Sequence, residues 1–248
     1  MALRVPAGEV EPARAALLEL VRDGFEEIDA DEHVVLVAYA GAGRASALVQ
    51  RFPEAAVSPV EEGWEDAWRT YHRPVVVGGV WIGPPWDTPP PGEPSVVIDP
   101  GRAFGTGAHP TTRLCVELLA RCERGSLLDV GCGSGVLALA ASRLGFGPLL
   151  AVDDDPVAVE TATQNARAND VELEARVLDA EREPLPTADG AVVNILLGPI
   201  EAVLTRLETT WVVTSGYLVG ERPRHPGWAH AGQATLDGWA ADRFDRVG

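Results

Sequence analysis

Two acidic residues and a run of glycines are spaced as in sites that hold a nucleoside. The segment LLDVGCGSGVLALA, residues 127–140, places Asp129 in an apolar run and Gly131, Gly133 and Gly135 directly before a helical pattern. Glycines there permit a tight turn and close approach of the backbone to a ligand at the helix N-terminus. The spacing is GxGxG, because a valine follows the third glycine, so the GxGxxG dinucleotide fingerprint is not met.

A second acid ends the next apolar run. In LLAVDDDP, residues 149–156, Asp153 follows Asp129 by about one βαβ step. A carboxylate at that strand end can accept both hydroxyls of a ribose. The alternative is that the acids only cap the helix that begins at Pro156. We expect both roles, with Asp155 as the cap and Asp153 as the ligand-binding group.

An amide interrupts a later apolar run. Asn194 lies within GAVVNILLGP, at the end of a predicted strand. Its amide can accept from, or donate to, a substrate amine or a cofactor. The alternative is a buried asparagine whose amide is satisfied by the backbone.

The glycine-rich stretch DPGRAFGTGAHPTTRL, residues 99–114, raises three possibilities: a phosphate loop, a lid or a turn. A phosphate loop would need a lysine that this stretch lacks. A lid and a turn therefore remain as interpretations of the segment that contains Phe104, Thr106 and Gly107. His109 either relays a proton there or caps the following helix.

The chain divides into three predicted parts. Residues 1–60 alternate strand, helix, strand, helix, strand, with strands at ALRV, HVVLVAY and AAVSPV, and form a small α+β domain. Residues 61–94 form a linker with a short helix, the strand PVVVGGVWIG and the proline-rich PPWDTPPPGEP. From 95 to 248, strands beginning with SVVID alternate with helices, which predicts a mostly parallel, doubly wound sheet with ligands at the carboxyl ends of its strands.

Composition narrows the class of protein. The formal net charge is −17, which disfavours binding to nucleic acid or to anionic membranes and suits a basic partner. The first residues lack the pattern of a secretory signal, and the longest apolar run is too short to cross a bilayer, so we expect a cytoplasmic protein. We also expect the protein to be a monomer. Cys115, Cys122 and Cys132 have no CxxC spacing, which indicates buried thiols and no metal site.

Together these motifs resemble a known family. DVGCGSGVLAL followed by AVDDDP resembles the class I S-adenosylmethionine-dependent methyltransferases. GWEDAWRTYHRPVVVGG, DPGRAFGTGAHPTTRLCVELL and VVNILL, in this order, resemble more narrowly the ribosomal protein L11 methyltransferases, the PrmA family. The resemblance covers residues from about 60 to 220 and implies a seven-stranded, Rossmann-like domain preceded by a small ferredoxin-like α+β domain that recognises the substrate.

The resemblance also implies an activity and a set of site residues. The implied reaction is transfer of methyl groups from S-adenosylmethionine to amino groups, on lysine or at the N-terminus, of a large-subunit ribosomal protein. The alternatives are another protein or a small amine as acceptor, or binding of the cofactor without catalysis. By motif position, the cofactor contacts would be Thr112, Gly131, Gly133, Asp129, Asp153 and Asn194, with Phe104, Thr106 and Gly107 closing the site and Asn194 and His109 nearest the chemistry.

One segment departs from the family pattern. After TSGYL the family has a long amphipathic helix, whereas VGERPRHPGW, residues 219–228, is short and contains two prolines. We therefore expect that helix to be truncated or missing before a closing hairpin formed by GWAHAGQATLD and GWAADRFDRVG. The departure concerns the range of substrates more than the binding of the cofactor.

Overall fold

The computed structural model describes residues 2–6, 13, 17, 26–30, 33–38, 48–56, 73–99 and 107–247. They fall into two compact units, residues 1–67 and 68–248. The strands are β1 (Ala2–Pro6), β2 (Glu26–Ala30), β3 (His33–Val37), β4 (Val75–Val77), β5 (Val80–Gly83), β6 (Ser95–Val97), β7 (Leu127–Val130), β8 (Leu149–Asp153), β9 (Glu174–Val177), β10 (Gly190–Asn194), β11 (Trp211–Leu218), β12 (Trp228–Leu236) and β13 (Trp239–Arg246). The helices are α1 (Pro110–Leu119), α2 (Val136–Arg143), α3 (Pro156–Ala168) and α4 (Leu197–Leu204).

The smaller unit contains an antiparallel sheet of order β1-β3-β2. Its buried hydrophobic core consists of Leu3, Val5, Leu17, Leu36, Ala38, Leu48 and Phe52. Strands β1 and β3 were predicted, but β2 was not, because its acidic sequence EEIDA shows little of the apolar alternation typical of a strand. Most of the predicted strand AAVSPV lies outside the described residues, and the predicted second helix is described only at 48–51.

A second small sheet, of order β4-β5-β6, belongs to the larger unit and corrects two predictions. The segment PVVVGGVWIG is a hairpin of two strands, because Gly78 and Gly79 reverse the chain with φ values of 60° and 80°. The strand in SVVID pairs in parallel with β5 and is not part of the doubly wound sheet. The limits of the predicted linker and domains remain a prediction.

The larger unit is built on a seven-stranded sheet of order β12-β13-β11-β10-β7-β8-β9. All neighbouring pairs from β11 to β9 are parallel, and β13 is antiparallel to both of its neighbours, as predicted for a doubly wound sheet. Helices α1 and α2 pack on one face and α4 on the other. The strand order reverses between β7 and β10, which is where ligands bind in such sheets. No helix in the described part of the chain is long and apolar enough to cross a membrane.

Helix α3 begins as the sequence predicts. The Asp155 carboxylate accepts the backbone N–H of Val157 at 2.8 Å, and Pro156 occupies the first helical position. Aspartate accepts an otherwise unpaired N–H here, and proline lacks an N–H that would need a partner. The capping role of Asp155 is therefore confirmed.

This cap gives the first testable prediction. Asp155→Ala is expected to lower the free energy of unfolding by about 1 kcal/mol, because the first turn of α3 loses its side-chain acceptor. Urea denaturation of both proteins measures the change. Asp154→Ala is the matched control, since Asp154 is an adjacent exposed acid, and its effect is expected within about 0.5 kcal/mol. Equal losses in the two variants would contradict the capping role.

The closing helix, which was expected to be truncated or missing, is missing, since residues 219–227 contain no helix.

A polar cluster lies on the neighbouring strands. Asp242 of β13 is fully buried and accepts hydrogen bonds from Tyr217 Oη at 3.0 Å and Gln233 Nε2 at 3.0 Å, while His230 Nε2 lies 2.6 Å from its Oδ1. A buried carboxylate needs such partners to offset its lost hydration. These contacts thereby compensate the buried carboxylate of Asp242, which lies on β13 next to the edge strand β12.

Candidate functional site

A cavity of about 420 Å³ opens at the carboxyl ends of β7, β8 and β10, beside the point where the strand order reverses. It lies wholly within the larger unit. Its lining residues come from the start of α1, the glycine turn, the ends of three strands and the closing hairpin: His109, Thr111, Thr112, Gly131, Cys132, Gly133, Val136, Leu137, Asp153, Asp154, Asn194, Ile195, Leu196, Gly216 and Trp239.

The turn between β7 and α2 requires its glycines. Gly131, Gly133 and Gly135 have φ values of 72°, 53° and 80°, in the left-handed region that favours glycine. A Cβ at Gly131 would also collide with the side chain of Ile195. The turn therefore keeps the backbone close to the cavity, directly before the N-terminus of α2.

Asp153 ends β8 and faces this turn. Its Oδ2 accepts the N–H of Gly133 at 2.9 Å, and its Oδ1 accepts the N–H of Asp155 at 3.0 Å. Each carboxylate oxygen retains a further lone pair. Partial burial raises the pKa of Asp153, and the charges of Asp154 and Asp155 raise it further, against the two hydrogen bonds. The carboxylate is thus held in place and still able to accept from a ligand.

Asp129 lies behind the turn, and it is not among the residues that line the cavity. Its Oδ2 accepts the N–H of Ala138 in α2 at 3.0 Å, whereas its Oδ1 is buried and has no hydrogen-bond partner among the described residues. Burial raises the pKa of Asp129 to about 7, and the nearby charge of Asp153 adds to the rise. A buried acid therefore lies two residues before the glycine turn, and a cationic group near it would stabilise its ionised form.

The other predicted residues are only partly brought together. Thr112, buried in the first turn of α1, and Asn194, at the end of β10, both line the cavity. Gly107 lies just before α1 with φ 85° and is not among the lining residues. Phe104 and Thr106 lie outside the described residues.

His109 is the N-cap of α1. Its Nδ1 accepts the N–H of Thr111 at 3.4 Å and lies 2.8 Å from the hydroxyl of the same residue. A ring that accepts at Nδ1 carries its proton on Nε2 when neutral, and burial lowers the pKa of His109, which favours the neutral ring. This arrangement favours the capping alternative, because Nδ1 is engaged with both the N–H and the hydroxyl of Thr111 in the first turn of α1.

Sequence reasoning missed the contribution of the closing hairpin. Asp237 and Gly238 have φ values of 49° and 82° and form a tight turn that places Trp239 at the cavity, with its ring 5.0 Å from that of His109 in an edge-to-face arrangement. Gly216 lies in a bulge of β11, where a Cβ would collide with the carbonyl of Ile195. The Asp-Gly pair in LDGW was the available signal for the turn.

A second cavity, of about 220 Å³, adjoins the first and shares five lining residues with it: Gly131, Asp153, Asp154, Ile195 and Leu196. Its far wall is formed by Leu178, Asp179, Ala180 and Glu181, which follow β9. Asp179, two residues after the end of β9, could have indicated this wall from the sequence, just as Asp153 at the end of β8 indicated the first cavity. The two cavities together follow the carboxyl ends of β9, β8, β7 and β10.

The cysteines do not indicate metal chemistry. Cys115, Cys122 and Cys132 are free and buried, and burial raises the pKa of each thiol. In the described ranges, no group of three or more His, Cys, Asp or Glu side chains is placed to hold a metal ion.

The sheet order, the glycine turn after β7 and the acid at the end of β8 define a Rossmann-like domain of the class I methyltransferase type. The family model described as ribosomal protein L11 methyltransferase (PrmA) matches residues 28–223. The chain belongs to this family.

Individual relatives agree with this placement. The chain is 41% identical over 181 residues to a ribosomal protein L11 methyltransferase of Dechloromonas aromatica, covering 71% of this chain and 60% of the relative. It is 39% identical over 201 residues to that of Alteromonas mediterranea, covering 79% and 67%. The chain thus spans about 60% of the length of the first relative. A crystal structure of a ribosomal protein L11 methylase from Lactobacillus delbrueckii subsp. bulgaricus shares the fold, with a TM-score of 0.62 at 24% identity over 68% of this chain and 96% of that one.

Proposed function

We propose that this chain transfers methyl groups from S-adenosylmethionine to amino groups of ribosomal protein L11. The observation that supports this most strongly is the convergence of Asp153, the glycine turn and Asn194 on one cavity at the strand ends of a PrmA-family domain. The acceptor amines are lysine side chains, the N-terminal amine, or both. The smaller unit, residues 1–67, is proposed to recognise the substrate.

The residues present fit S-adenosylmethionine. Asp153 would accept from the ribose hydroxyls, since it is fixed by two backbone donors and keeps lone pairs. The turn at Gly131 and Gly133 leaves room for the methionine part beside the backbone. The Oδ1 of Asp129, which has no hydrogen-bond partner in the described part of the chain, suits a nearby cation. Thr112 would complete the cofactor contacts. The FGTG segment, with Phe104, Thr106 and Gly107, is proposed as the wall next to the reacting centre.

In this reaction the protein mainly has to align and desolvate the reactants. S-adenosylmethionine supplies an electrophilic methyl group on a sulfonium. The neutral amine attacks the methyl carbon in line with the C–S bond, the thioether leaves, and the methylated ammonium can then release a proton to solvent. Asn194, at the end of β10, is proposed to accept a hydrogen bond from the amine and so direct its lone pair. No covalent nucleophile is needed, and His109 is proposed to shape the cavity as a cap rather than to act as a base.

The acceptor amine must be neutral to attack, and the free energy needed to deprotonate it depends on its pKa. Keeping a lysine amine neutral at pH 7 costs roughly 4–5 kcal/mol, whereas an N-terminal amine costs about 1–1.5 kcal/mol. Burial of a lysine amine in the cavity would disfavour its charged form by desolvation, which lowers its pKa and reduces the free energy needed to keep it neutral. The net charge of −17 would attract a basic protein substrate before that step.

Incubation of the protein with radiolabelled S-adenosylmethionine and unmethylated large ribosomal subunits tests the proposal. Label is expected on ribosomal protein L11 after the proteins are separated. Asn194→Ala serves as the comparison, with an expected loss of transfer that is larger than its loss of cofactor affinity, since Asn194 lines the cavity as a proposed contact of both the amine and the cofactor. Label on a different protein or on a small amine would replace the proposed substrate. Cofactor binding without transfer to any amine would favour a noncatalytic role.

A further inference from the structure

The closing hairpin and the end of β11 extend the sheet beyond the level of the first cavity. Asn194, the last residue of β10, pairs with Ser215 of β11, and β11 then continues for three residues to Leu218. Leu218 is paired there with Trp239, the first residue of β13, which lines the cavity. The end of β11 therefore lies beside a wall of the cavity, three strands away from β8.

Leu218 and Trp239 have their side chains on the same face of the sheet. The next hydrogen bond of the ladder runs from the Val219 N–H to the carbonyl of Gly238 at 2.9 Å. Leu218 and Trp239 thus form a pair that lies between hydrogen-bonded positions, where opposite side chains approach most closely. Trp239 is partly buried, whereas Leu218 is 50% exposed. We call this pair the hairpin ledge, an apolar surface that leads from the cavity to solvent.

The exposed end of the hairpin ledge is held in place by its own turn. The Leu218 N–H donates to Oε2 of Glu221 at 3.0 Å, and the Leu218 carbonyl accepts the N–H of Glu221, also at 3.0 Å. A second apolar side chain, Leu196, lines both cavities at the end of the neighbouring strand β10 and is 75% exposed. Exposed apolar side chains that border a cavity are typical of surfaces that contact another molecule.

Acidic side chains flank the hairpin ledge. Glu221 lies in the turn after β11, Asp237 lies in the tight turn that leads into Trp239, and both are exposed. An apolar surface between acids complements a basic polypeptide segment that carries an apolar residue. A small free amine could enter the cavity, but it would have no group that lies on Leu218.

We propose that the hairpin ledge is a docking surface for the acceptor protein, on which Leu218 contacts an apolar residue next to the amine that is methylated. Asp153, the proposed ribose contact, lies at the β8 end of the cavity, whereas Asn194 and Trp239 lie towards the hairpin. The acceptor segment thus approaches from the hairpin side. The inference rests on the proposed function and narrows its substrate class to a protein with a basic segment.

The experiment compares Leu218→Ser with Val76→Ser in the full chain, with ribosomal protein L11 as the acceptor. Val76 is the matched control, because it is also a strand residue of the larger unit, is 62% exposed and lines neither cavity. Initial rates at varied acceptor concentration give KM and kcat, and calorimetric titration with S-adenosylhomocysteine gives the cofactor affinity.

Leu218→Ser is expected to raise the KM for ribosomal protein L11 about fivefold, because part of a leucine side chain no longer becomes buried on binding. Its kcat and its cofactor affinity are expected within about twofold of the wild type, since a contact remote from the reacting atoms acts on binding alone. Leu218→Met, which keeps an apolar side chain of similar size, is expected to retain the wild-type KM. Val76→Ser is expected to change none of these values.

The outcomes separate this inference from the proposed function. An unchanged KM in Leu218→Ser, or an equal rise in Val76→Ser, would overturn the docking surface while the proposed function stands. A loss of cofactor affinity as large as the change in KM would also overturn it, because Leu218 would then act through the cofactor site. A wild-type protein that methylates no amine of ribosomal protein L11 would overturn both. Thermal unfolding checks each variant, and Leu218→Ala replaces the serine variant if that variant does not fold.

Discussion

Asp153→Ala is expected to weaken S-adenosylmethionine binding by about 100-fold or more. The variant removes a charged acceptor for two ribose hydroxyls, and hydrogen bonds to charged groups contribute about 1.5–3 kcal/mol each. It also frees the Gly133 N–H, which the carboxylate holds at 2.9 Å, so the glycine turn loses a support. Isothermal titration calorimetry with S-adenosylmethionine and S-adenosylhomocysteine measures the change.

Two variants divide this effect into its parts. Asp153→Asn keeps an acceptor for the turn but not the charge, so an intermediate loss of affinity is expected. Asp155→Ala is the control for lost stability, because it removes the cap of α3 while its backbone N–H still reaches Asp153. Its affinity is expected to remain within about threefold of the wild type. Unchanged affinity in Asp153→Ala would rule out the ribose-binding assignment.

The sequence predicted the larger unit well because its signals are local. Strands β7, β8 and β10 are short apolar runs that are each followed by a helix, and the turns after β7 and β8 contain glycine and Asp-Pro. Strand β2 was missed because EEIDA lacks an apolar alternation, whereas β6 was assigned to the wrong sheet for a nonlocal reason. Which strand β6 pairs with depends on distant residues, and no local pattern in SVVID distinguishes the two sheets.

The candidate site shows the same limit at the level of side chains. Spacing identified Asp153 and Asn194 because strand ends in a parallel sheet converge at one edge. It did not reveal that Trp239, more than 100 residues after the glycine turn, forms a wall of the cavity, or that one oxygen of Asp129 has no hydrogen-bond partner among the residues that the structure describes. Those features depend on tertiary packing. The capping contact of His109 is by contrast local, since its ring meets Thr111 two residues later, and the sequence had left this alternative open.

Asp129→Asn is expected to stabilise the ligand-free protein increasingly as the pH rises. The pKa of Asp129 is raised by burial to about 7 from an ordinary value of 3.8. Between these values the native state binds more protons than the unfolded state, so this group makes the wild type less stable as the pH rises and has no further effect above about pH 7. Asparagine removes that dependence and can still accept the Ala138 N–H. The gain of the variant over the wild type is expected to grow by about 2–3 kcal/mol between pH 5 and pH 8.

Urea denaturation at several pH values measures this difference, and comparing the two proteins at each pH cancels the contributions of the other titrating groups. A difference that does not change with pH would show that Asp129 is ionised normally in the native state. Cofactor binding should respond in the opposite direction, because an ionised Asp129 stabilises a cationic ligand and the amide does not. A variant that is more stable without ligand and binds S-adenosylmethionine more weakly would show that the protein keeps this buried acid for its ligand at the expense of stability.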